Sequence, residues 1–354
     1  MKKLSLRTLG LITLPLQLVL FRFLCAQTQW IEAVFVPGLF YPLTRFFRLI
    51  TGPIPFSVGL VFIYMLAGLL LVLLIRTIRQ IIRRRRSLKD ALLSLLAWSS
   101  PAFFLYAITW GLLYYRQPVS ILLQYDTAPA TPEELRQLCE DLVEQTNETR
   151  RQLTDSAVYA VSPATLLEKA PLAYSHARLP FLDYRTPSIK MATGSGLLAY
   201  MGTSGIYTFW SGEAHVNRIN TNADLPAVTL HEMAHQMGFA SEDEANYIAW
   251  LTGKNYPDPL FQYSARYSVV WRSLRRLGNV DSTYAQTLYR RLDPAVYRDA
   301  EIENARWDPY RNIAQKYVIT PFYNLFLKAN GREYGVMSYD QVIDLIIYER
   351  RKKE

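Results

Sequence analysis

The sequence predicts a membrane-anchored α+β protein, in which three N-terminal transmembrane helices precede a mainly helical domain with a small sheet. Three observations lead to this fold class. The 354 residues are 50% hydrophobic, and their mean hydropathy of +0.02 is high for a wholly water-soluble protein. The long apolar stretches all lie before residue 117. The remaining residues show the helical and strand periodicities of a globular domain large enough to bury its own core.

Positive charge is concentrated in the same N-terminal third. Residues 1–116 carry fourteen Lys and Arg against two acids, a charge of +12, whereas residues 117–354 carry −3 of the total of +9. Because a phosphate-binding surface needs a basic patch, this division disfavours nucleic acid as a partner of the C-terminal domain. The chain has two cysteines, Cys25 and Cys139, so a disulfide framework is excluded.

Three stretches are long and apolar enough to cross a bilayer core, at about residues 8–26, 56–75 and 91–115. The aromatic, Gly- and Pro-containing segment 27–55 is expected to lie at the membrane interface. The loop 76–90 contains seven Lys and Arg and one acid, which places it and the N-terminus in the cytoplasm by the positive-inside rule. The chain is therefore predicted to be a multi-pass protein of the cell membrane with an extracytoplasmic C-terminal domain.

The predicted boundary divides an anchor, residues 1–119, from a domain, residues 120–354. The clearest helix of the domain begins at Thr131, with Pro132 in its first turn and Glu134 completing a capping box. Further helices are predicted at about residues 163–168, 261–276, 282–292, 304–327 and 338–351. Short apolar runs with Gly between residues 191 and 217 predict strands, including a pair at 206–210 and 213–217.

The pentapeptide from His231 to His235 has the sequence HExxH, within a helix predicted to begin near Leu225. A spacing of four residues puts both imidazoles on one helix face, where they can bind one Zn²⁺ ion. Glu232 is then placed to act as general base toward a zinc-activated water. The motif uses two of the chain's four histidines, so a chance match is improbable. It predicts a zincin-like domain with His231 and His235 as metal ligands and Glu232 as the catalytic residue.

A catalytic zinc needs a third protein ligand and an open position for water. Gly238 is expected to end the motif helix with a positive φ, and Ser241 with Glu244 predicts a capping box at the next helix. An early carboxylate of that helix would face the motif. Glu242 is the preferred ligand because Asn246 follows one turn later, where it can orient a histidine. Glu244 is the alternative ligand.

Other residues are candidates for binding substrate. Glu213, His215 and Asn217 alternate onto one face of a predicted strand and are candidates to line the substrate cleft. Tyr247 and Tyr339 are candidates to stabilise an oxyanion. The strand pair itself can offer a sheet edge to an extended substrate.

Four segments of the chain resemble the bacterial family catalogued as domain of unknown function 3810. They are IPFSVG, GIYTFWSGEAHVN, HEMAHQMGFASEDEANYIAWL and LKANGREYGVMSYDQVIDLI, at residues 54–59, 205–217, 231–251 and 327–346. The resemblance covers most of the chain, including the three spans. It implies a membrane-anchored, zinc-peptidase-like protein, and it does not imply a particular substrate.

These features together predict a gluzincin-like metallopeptidase with Zn²⁺ as cofactor, acting on an unidentified extracytoplasmic peptide or protein. The membrane bilayer is the other expected partner. A non-hydrolytic zinc-binding membrane sensor or scaffold is the alternative function. Glu232 favours the enzyme, because a purely structural zinc site has no need of a carboxylate beside its histidines.

Overall fold

The computed structural model describes residues 5–179, 181, 183–331 and 341–353. Its helices are α1 Leu6–Cys25, α2 Thr28–Trp30, α3 Tyr41–Thr51, α4 Val58–Ile82, α5 Leu88–Thr109, α6 Val119–Leu122, α7 Pro132–Arg151, α8 Asp155–Tyr159, α9 Pro163–Ala177, α10 Ser195–Tyr200, α11 Leu225–Gln236, α12 Glu242–Asn255, α13 Pro259–Val280, α14 Ser282–Arg291, α15 Pro294–Trp307, α16 Thr320–Ala329 and α17 Val342–Arg351. The strands are β1 Ile189–Met191, β2 Gly205–Thr208 and β3 Glu213–Val216. The predicted mainly helical fold with a small sheet is confirmed.

Four helical stretches are long and apolar enough to cross a membrane: Leu6–Cys25, Thr28–Thr51, Val58–Ile82 and Leu88–Thr109. The first, third and fourth coincide with the predicted spans. The second joins α2 and α3 through π-helical turns, Ile31–Phe40. The sequence pattern predicts a break at Pro37, but Pro37 lies within these π-helical turns. The segment is therefore one continuous helix rather than an irregular stretch at the membrane interface.

Helices α1 and α5 pack side by side and run in the same direction. Arg7 pairs with Asp90 at 3.1 Å near their starts, and the rings of Phe21 and Phe103 lie 5.4 Å apart further along. Both helices therefore begin at the end that carries the arginine run of residues 83–86 and finish at the end that adjoins the domain. This arrangement agrees with a chain whose N-terminus and basic loop lie on one side of the membrane.

Helix α4 runs in the opposite direction to α1 and α5. At its start, the backbone N–H of Gly59 donates to the Glu213 carboxylate of the domain at 2.6 Å. The helix Thr28–Thr51 therefore connects two points at the domain end. It contacts both the residues that follow α5, where Glu32 pairs with Arg116 at 2.8 Å, and the domain, where Thr51 lies 3.0 Å from Ser188. This geometry favours three crossings, by α1, α4 and α5, with the Thr28–Thr51 helix lying along the domain.

The core of the domain is helical. Helices α11, α12 and α13 pack together and against α7, α9 and α17 through fully buried side chains such as Leu230, Ile248 and Phe261. The predicted start of α7 is confirmed, since the Thr131 hydroxyl accepts from the N–H of Glu134 and the Glu134 carboxylate accepts in return. Each buried Leu, Ile or Phe side chain stabilises the fold by roughly 1.5–3 kcal/mol.

Several predicted boundaries are wrong. The helix predicted at 163–168 continues to Ala177. The single helix predicted at 304–327 is two segments, because α15 ends at Trp307 before a turn that contains Pro309, and helical structure resumes at Gln315. Within the predicted strand region, Gly194 adopts a φ of +75° and starts the short helix α10 instead. The beginning of the helix predicted at 338–351 lies outside the described residues.

The three strands form one sheet in the order β1-β3-β2. Strand β2 pairs with β3 as an antiparallel hairpin, as predicted, and β1 pairs with β3 in parallel. Strand β2 is therefore an edge strand. Helix α11, which carries the HExxH motif, packs against both β2 and β3.

Candidate metal centre

The turn after helix α11 brings the start of α12 back against the two histidines. Gly238 has a φ of +80°, as predicted, and a Cβ at that position would lie 2.7 Å from the Phe40 ring. The turn is also held from the anchor, because buried Arg116 donates to the carbonyl of Met237 at 2.8 Å and stacks over the ring of Phe239. The chain reversal places Glu242, the first residue of α12, opposite the HExxH face.

Glu242 completes a cluster of three possible metal ligands. Its Oε2 atom lies 3.1 Å from Nε2 of His231 and 3.8 Å from Nε2 of His235. A tetrahedral Zn²⁺ with bonds of about 2.1 Å separates its ligand atoms by about 3.4 Å, so the observed spacing fits a zinc ion. Over the part of the chain that the structure describes, this is the single group of three such side chains close enough to hold a metal.

Glu244, the alternative ligand, lies outside this cluster. Its carboxylate accepts a hydrogen bond from the backbone N–H of Val119 at 2.8 Å. The capping box predicted from Ser241 and Glu244 does not form, although the helix does begin where predicted. The Ser241 hydroxyl donates instead to the carboxylate of Asp243.

Two further hydrogen bonds orient the ligands. Nδ1 of His235 lies 2.6 Å from the carbonyl oxygen of Phe239, so Nδ1–H donates there and Nε2 is left for a metal. The hydroxyl of Tyr323 donates to Oε1 of Glu242 at 2.5 Å, which leaves Oε2 facing the histidines. The sequence pattern did not reveal Tyr323, because it is one of 24 tyrosines and stands in no local motif with the ligands.

The predicted role of Asn246 is not settled by its contacts. Nδ2 of Asn246 and Nδ1 of His231 are both buried, and neither has a hydrogen-bond partner among the described residues. A hydrogen bond from Nδ1–H of His231 to the side-chain carbonyl oxygen of Asn246 would give this buried nitrogen a partner. The orientation of His231 by Asn246 therefore stays a prediction.

Burial and mutual charge shift the pKa values of Glu232 and of the three candidate ligands. Burial raises the pKa of Glu232 to about 8, against the opposing effect of charged His235. Burial also lowers the pKa of His231. For His235 the burial effect is outweighed by Glu242, whose hydrogen bond and charge raise the pKa to about 9, and Glu242 itself is held well below its usual pKa by the two histidines.

Glu232 lies against the edge strand β2. A Cβ added at Gly205 would come within 2.4 Å of Glu232 Oε1, so only glycine fits at that position. The other carboxylate oxygen, Oε2, is buried and has no hydrogen-bond partner in the described part of the chain. A buried oxygen without a partner is costly, and it is expected where a group has a chemical role.

Among the described residues no strand pairs with the outer edge of β2, and this open edge presents backbone groups beside Glu232. The N–H of Asn217 donates to the carbonyl of Ser204 at 2.8 Å, and hydrogen-bonded pairs alternate along an antiparallel ladder. Ile206 and Thr208 therefore bond to β3, whereas the N–H and C=O of Gly205 and Tyr207 point toward the open edge. An extended peptide can add to such an edge.

Glu213, His215 and Asn217 share one face of β3, as their alternation predicts, but this face is turned away from α11. Glu213 binds Lys190 at 2.5 Å and accepts from the first N–H groups of α4. His215 bonds to Thr208, and burial lowers its pKa to about 4. Asn217 donates to two backbone carbonyls beside α10. Their described contacts join the sheet to α4 and α10.

The two tyrosines proposed as oxyanion stabilisers have different outcomes. Tyr247 is fully buried in the core, with its hydroxyl 2.6 Å from that of Tyr125. Tyr339 lies outside the described residues, so its role stays a prediction.

Substitution of Gly205 by Ala tests the close approach of β2 to Glu232. The added methyl group must displace the Glu232 carboxylate. If Glu232 is the general base that the sequence predicts, the predicted peptide cleavage should fall about 100-fold, the cost typical of a catalytic group misplaced by about 1 Å. Zinc content should not change, because Glu232 is not a ligand. Gly196→Ala is the matched control, since its nearest neighbouring atom would be 4.0 Å away. Equal activity of both variants would contradict this close approach.

Comparison with known proteins identifies one family. The sequence model of a family described as protein of unknown function (DUF3810) matches residues 35–347. The match begins within the Thr28–Thr51 helix and includes the HExxH motif and Glu242. No curated protein and no solved structure matches the chain.

Proposed function

The chain belongs to the DUF3810 family, which has no assigned function, and we propose that it is a membrane-anchored zinc metallopeptidase with a zincin-like, gluzincin-type centre. The observation that carries the proposal is the cluster of His231, His235 and Glu242, with ligand atoms spaced for one tetrahedral ion and Glu232 beside them. His231, His235 and Glu242 would hold Zn²⁺. Bound there, Zn²⁺ supplies a Lewis acid that polarises a carbonyl and lowers the pKa of a water to about 7.

The residues around this site supply the remaining functions of a peptidase. Glu232 accepts the proton of the attacking water and passes it to the nitrogen of the leaving amine. The backbone groups of Gly205 and Tyr207 bind the substrate as an added strand, which presents its peptide bonds along the edge next to Glu232. Phe239 and Tyr323 hold His235 and Glu242 in their ligand orientations.

The site faces the extracytoplasmic side in this proposal. Helices α1, α4 and α5 separate the domain from the arginine run of residues 83–86, and cytoplasmic loops are the ones enriched in Lys and Arg. The substrate is therefore a peptide or protein outside the cytoplasm. The −3 charge of residues 117–354 gives no reason to expect nucleic acid there.

The ligand set predicts a specific pattern of zinc loss. Full-length wild-type protein, purified without chelator, should contain one zinc per chain, measured by plasma mass spectrometry. His235→Ala and Glu242→Ala should lose most of it, because two remaining ligands hold zinc weakly.

Glu244→Ala is the matched control for Glu242→Ala. Glu244 lies in the first turn of the same helix but bonds to Val119, so its variant should keep wild-type zinc content. Wild-type zinc in the Glu242→Ala protein, or zinc loss confined to Glu244→Ala, would remove Glu242 from the ligand set.

A further inference from the structure

Among the described residues, an exposed apolar face lies on the part of the domain that adjoins the membrane helices. The residues of this face lie on two short elements and are highly exposed. Phe322, for example, is 73% exposed. The face consists of Leu197, Tyr200 and Met201 at α10, and Ile313, Tyr317, Val318, Phe322 and Leu325 on the segment leading into and along α16. Water-soluble surfaces rarely expose so many large apolar side chains together.

The two parts of the apolar face form one continuous surface. The side-chain amides of Asn312 and Gln315 both donate to the carbonyl of Tyr200, at 2.8 and 3.0 Å. The ring of Tyr310 packs edge-to-face on that of Tyr200, with centroids 5.2 Å apart. α10 and the segment before α16 are thus held side by side.

The α10 part of the face is attached to the membrane helix α4. The hydroxyl of Tyr64 donates to the carbonyl of Thr193, just before α10, at 3.0 Å. Tyr64 is six residues into α4, which is about 9 Å along the helix. A helix needs about 20 residues to cross the hydrocarbon core. With Arg76 as the cytoplasmic boundary of that core, its outer boundary lies near Phe56. The contact between Tyr64 and Thr193 therefore lies at the depth of the outer leaflet.

The α16 part of the face is attached to the membrane helix α5. The Phe326 ring lies 6.2 Å from the ring of Tyr106, whose hydroxyl donates to Asn330. Tyr106 precedes the end of α5 at Thr109 by three residues, or about 4.5 Å. Both parts of the apolar face therefore contact the membrane helices within the spans, a short distance from the helix ends that adjoin the domain.

We propose that the apolar face inserts into the outer leaflet of the bilayer crossed by α1, α4 and α5. The occupant is lipid rather than another protein, because both parts of the face are held against α4 and α5 within the predicted spans, where these two helices also expose large apolar side chains. Its aromatic members are those expected at a membrane interface.

Insertion brings the metal centre to the membrane surface. Trp110, the residue after α5, lies with its ring centroid 5.3 Å from that of His235. Tyr323, next to Phe322 on α16, donates to Glu242. If the proposed function holds, the substrate is therefore a membrane-anchored polypeptide cleaved close to where it leaves the bilayer.

Spin labels at single cysteines test the insertion without any measurement of activity. Phe322→Cys and Leu197→Cys are labelled in the full chain, reconstituted in nanodiscs of phosphatidylethanolamine and phosphatidylglycerol. Native Cys25 and Cys139 are both buried. Gln286→Cys, exposed on α14, is the control.

Collision with oxygen, which concentrates in lipid, is compared with collision with a water-soluble nickel chelate. Labels at positions 322 and 197 should collide more often with oxygen than with the nickel chelate, and the label at position 286 should show the opposite preference. Nickel accessibility equal to the control would overturn the proposal. Protection from both reagents would also overturn it, because protein rather than lipid would then cover the face.

The substrate class is tested with a mixed-sequence fluorogenic peptide pool, presented either free or on a phospholipid anchor in the same nanodiscs. Anchored peptides should be cleaved at least about 100-fold faster at equal bulk concentration, because tethering raises their local concentration. Equal rates would overturn the membrane-anchored substrate class. Cleavage of neither form by zinc-loaded protein would contradict the proposed function itself, while the spin labels still decide the insertion.

Discussion

Replacement of Glu232 by Gln is expected to abolish peptide cleavage while zinc content stays at the wild-type level. The amide keeps the shape of the carboxylate but cannot accept the proton of the attacking water, and loss of a general base typically costs about 10²- to 10⁴-fold in rate. The measurement is cleavage of the fluorogenic peptide pool by full-length protein, with zinc determined on the same samples. Glu301→Gln, an exposed change on α15, is the control.

The same variant separates the enzyme from the alternative function. A zinc-binding sensor or scaffold uses the metal without a base, so Glu232→Gln would then match the wild type in every cellular assay. That result, together with zinc-loaded wild-type protein that cleaves no peptide, would contradict the proposed peptidase. Loss of zinc in Glu232→Gln would instead show that Glu232 supports the ligands.

Replacement of Glu213 by Ala is expected to destabilise the protein by about 3–5 kcal/mol. The change leaves the Lys190 ammonium buried without its counter-charge, and breaking one side of a buried ion pair has a cost of this size. It also removes the acceptor of two N–H groups at the start of α4. Thermal unfolding of the full chain in detergent, followed by circular dichroism, measures the effect.

Two further variants test the physical reason for this effect. Asp308→Asn breaks an ion pair with Arg311 whose side chains are about 60% exposed, and it should cost at most about 1 kcal/mol. The double variant Lys190→Met, Glu213→Leu removes both buried charges and should recover much of the lost stability. A Glu213→Ala protein as stable as Asp308→Asn would contradict this account of the buried pair.

The cluster of His231, His235 and Glu242 was the most predictable part of the molecule, because its geometry is local. A four-residue spacing within a helix determines that His231 and His235 share a face. Gly238 predicts that the chain reverses after the motif helix, and the spacing of Glu242 and Asn246 favours Glu242 over Glu244 as the third ligand within the same short stretch of sequence. The hairpin of β2 and β3 was predictable only in outline. Its strands pair as expected, but the loop has four residues, 209–212, rather than two, so Phe209 and Trp210 lie in the turn instead of in the predicted strand.

The contacts that surround the cluster were not predictable from local patterns. Tyr323 and Glu242 are 81 residues apart, and no periodicity marks a tyrosine as the partner of a distant carboxylate. The faces of β3 were also ambiguous: alternation shows that Glu213 and His215 share a side, but only the packing of α4 shows which side it is. The Thr28–Thr51 helix was missed because Pro and Gly are ordinary signals for a break.

The hold of Arg116 on the turn after α11 has a practical consequence for preparing this protein. A truncated chain that starts at residue 120 would omit Arg116, its partner Glu32 and the Phe40 ring that packs beside Gly238. It would also omit Trp110, which contacts His235. The turn that aligns Glu242 with the histidines would then lack much of its support. The membrane anchor is part of the scaffold of the candidate metal centre, and biochemical work should begin with a chain that keeps the anchor.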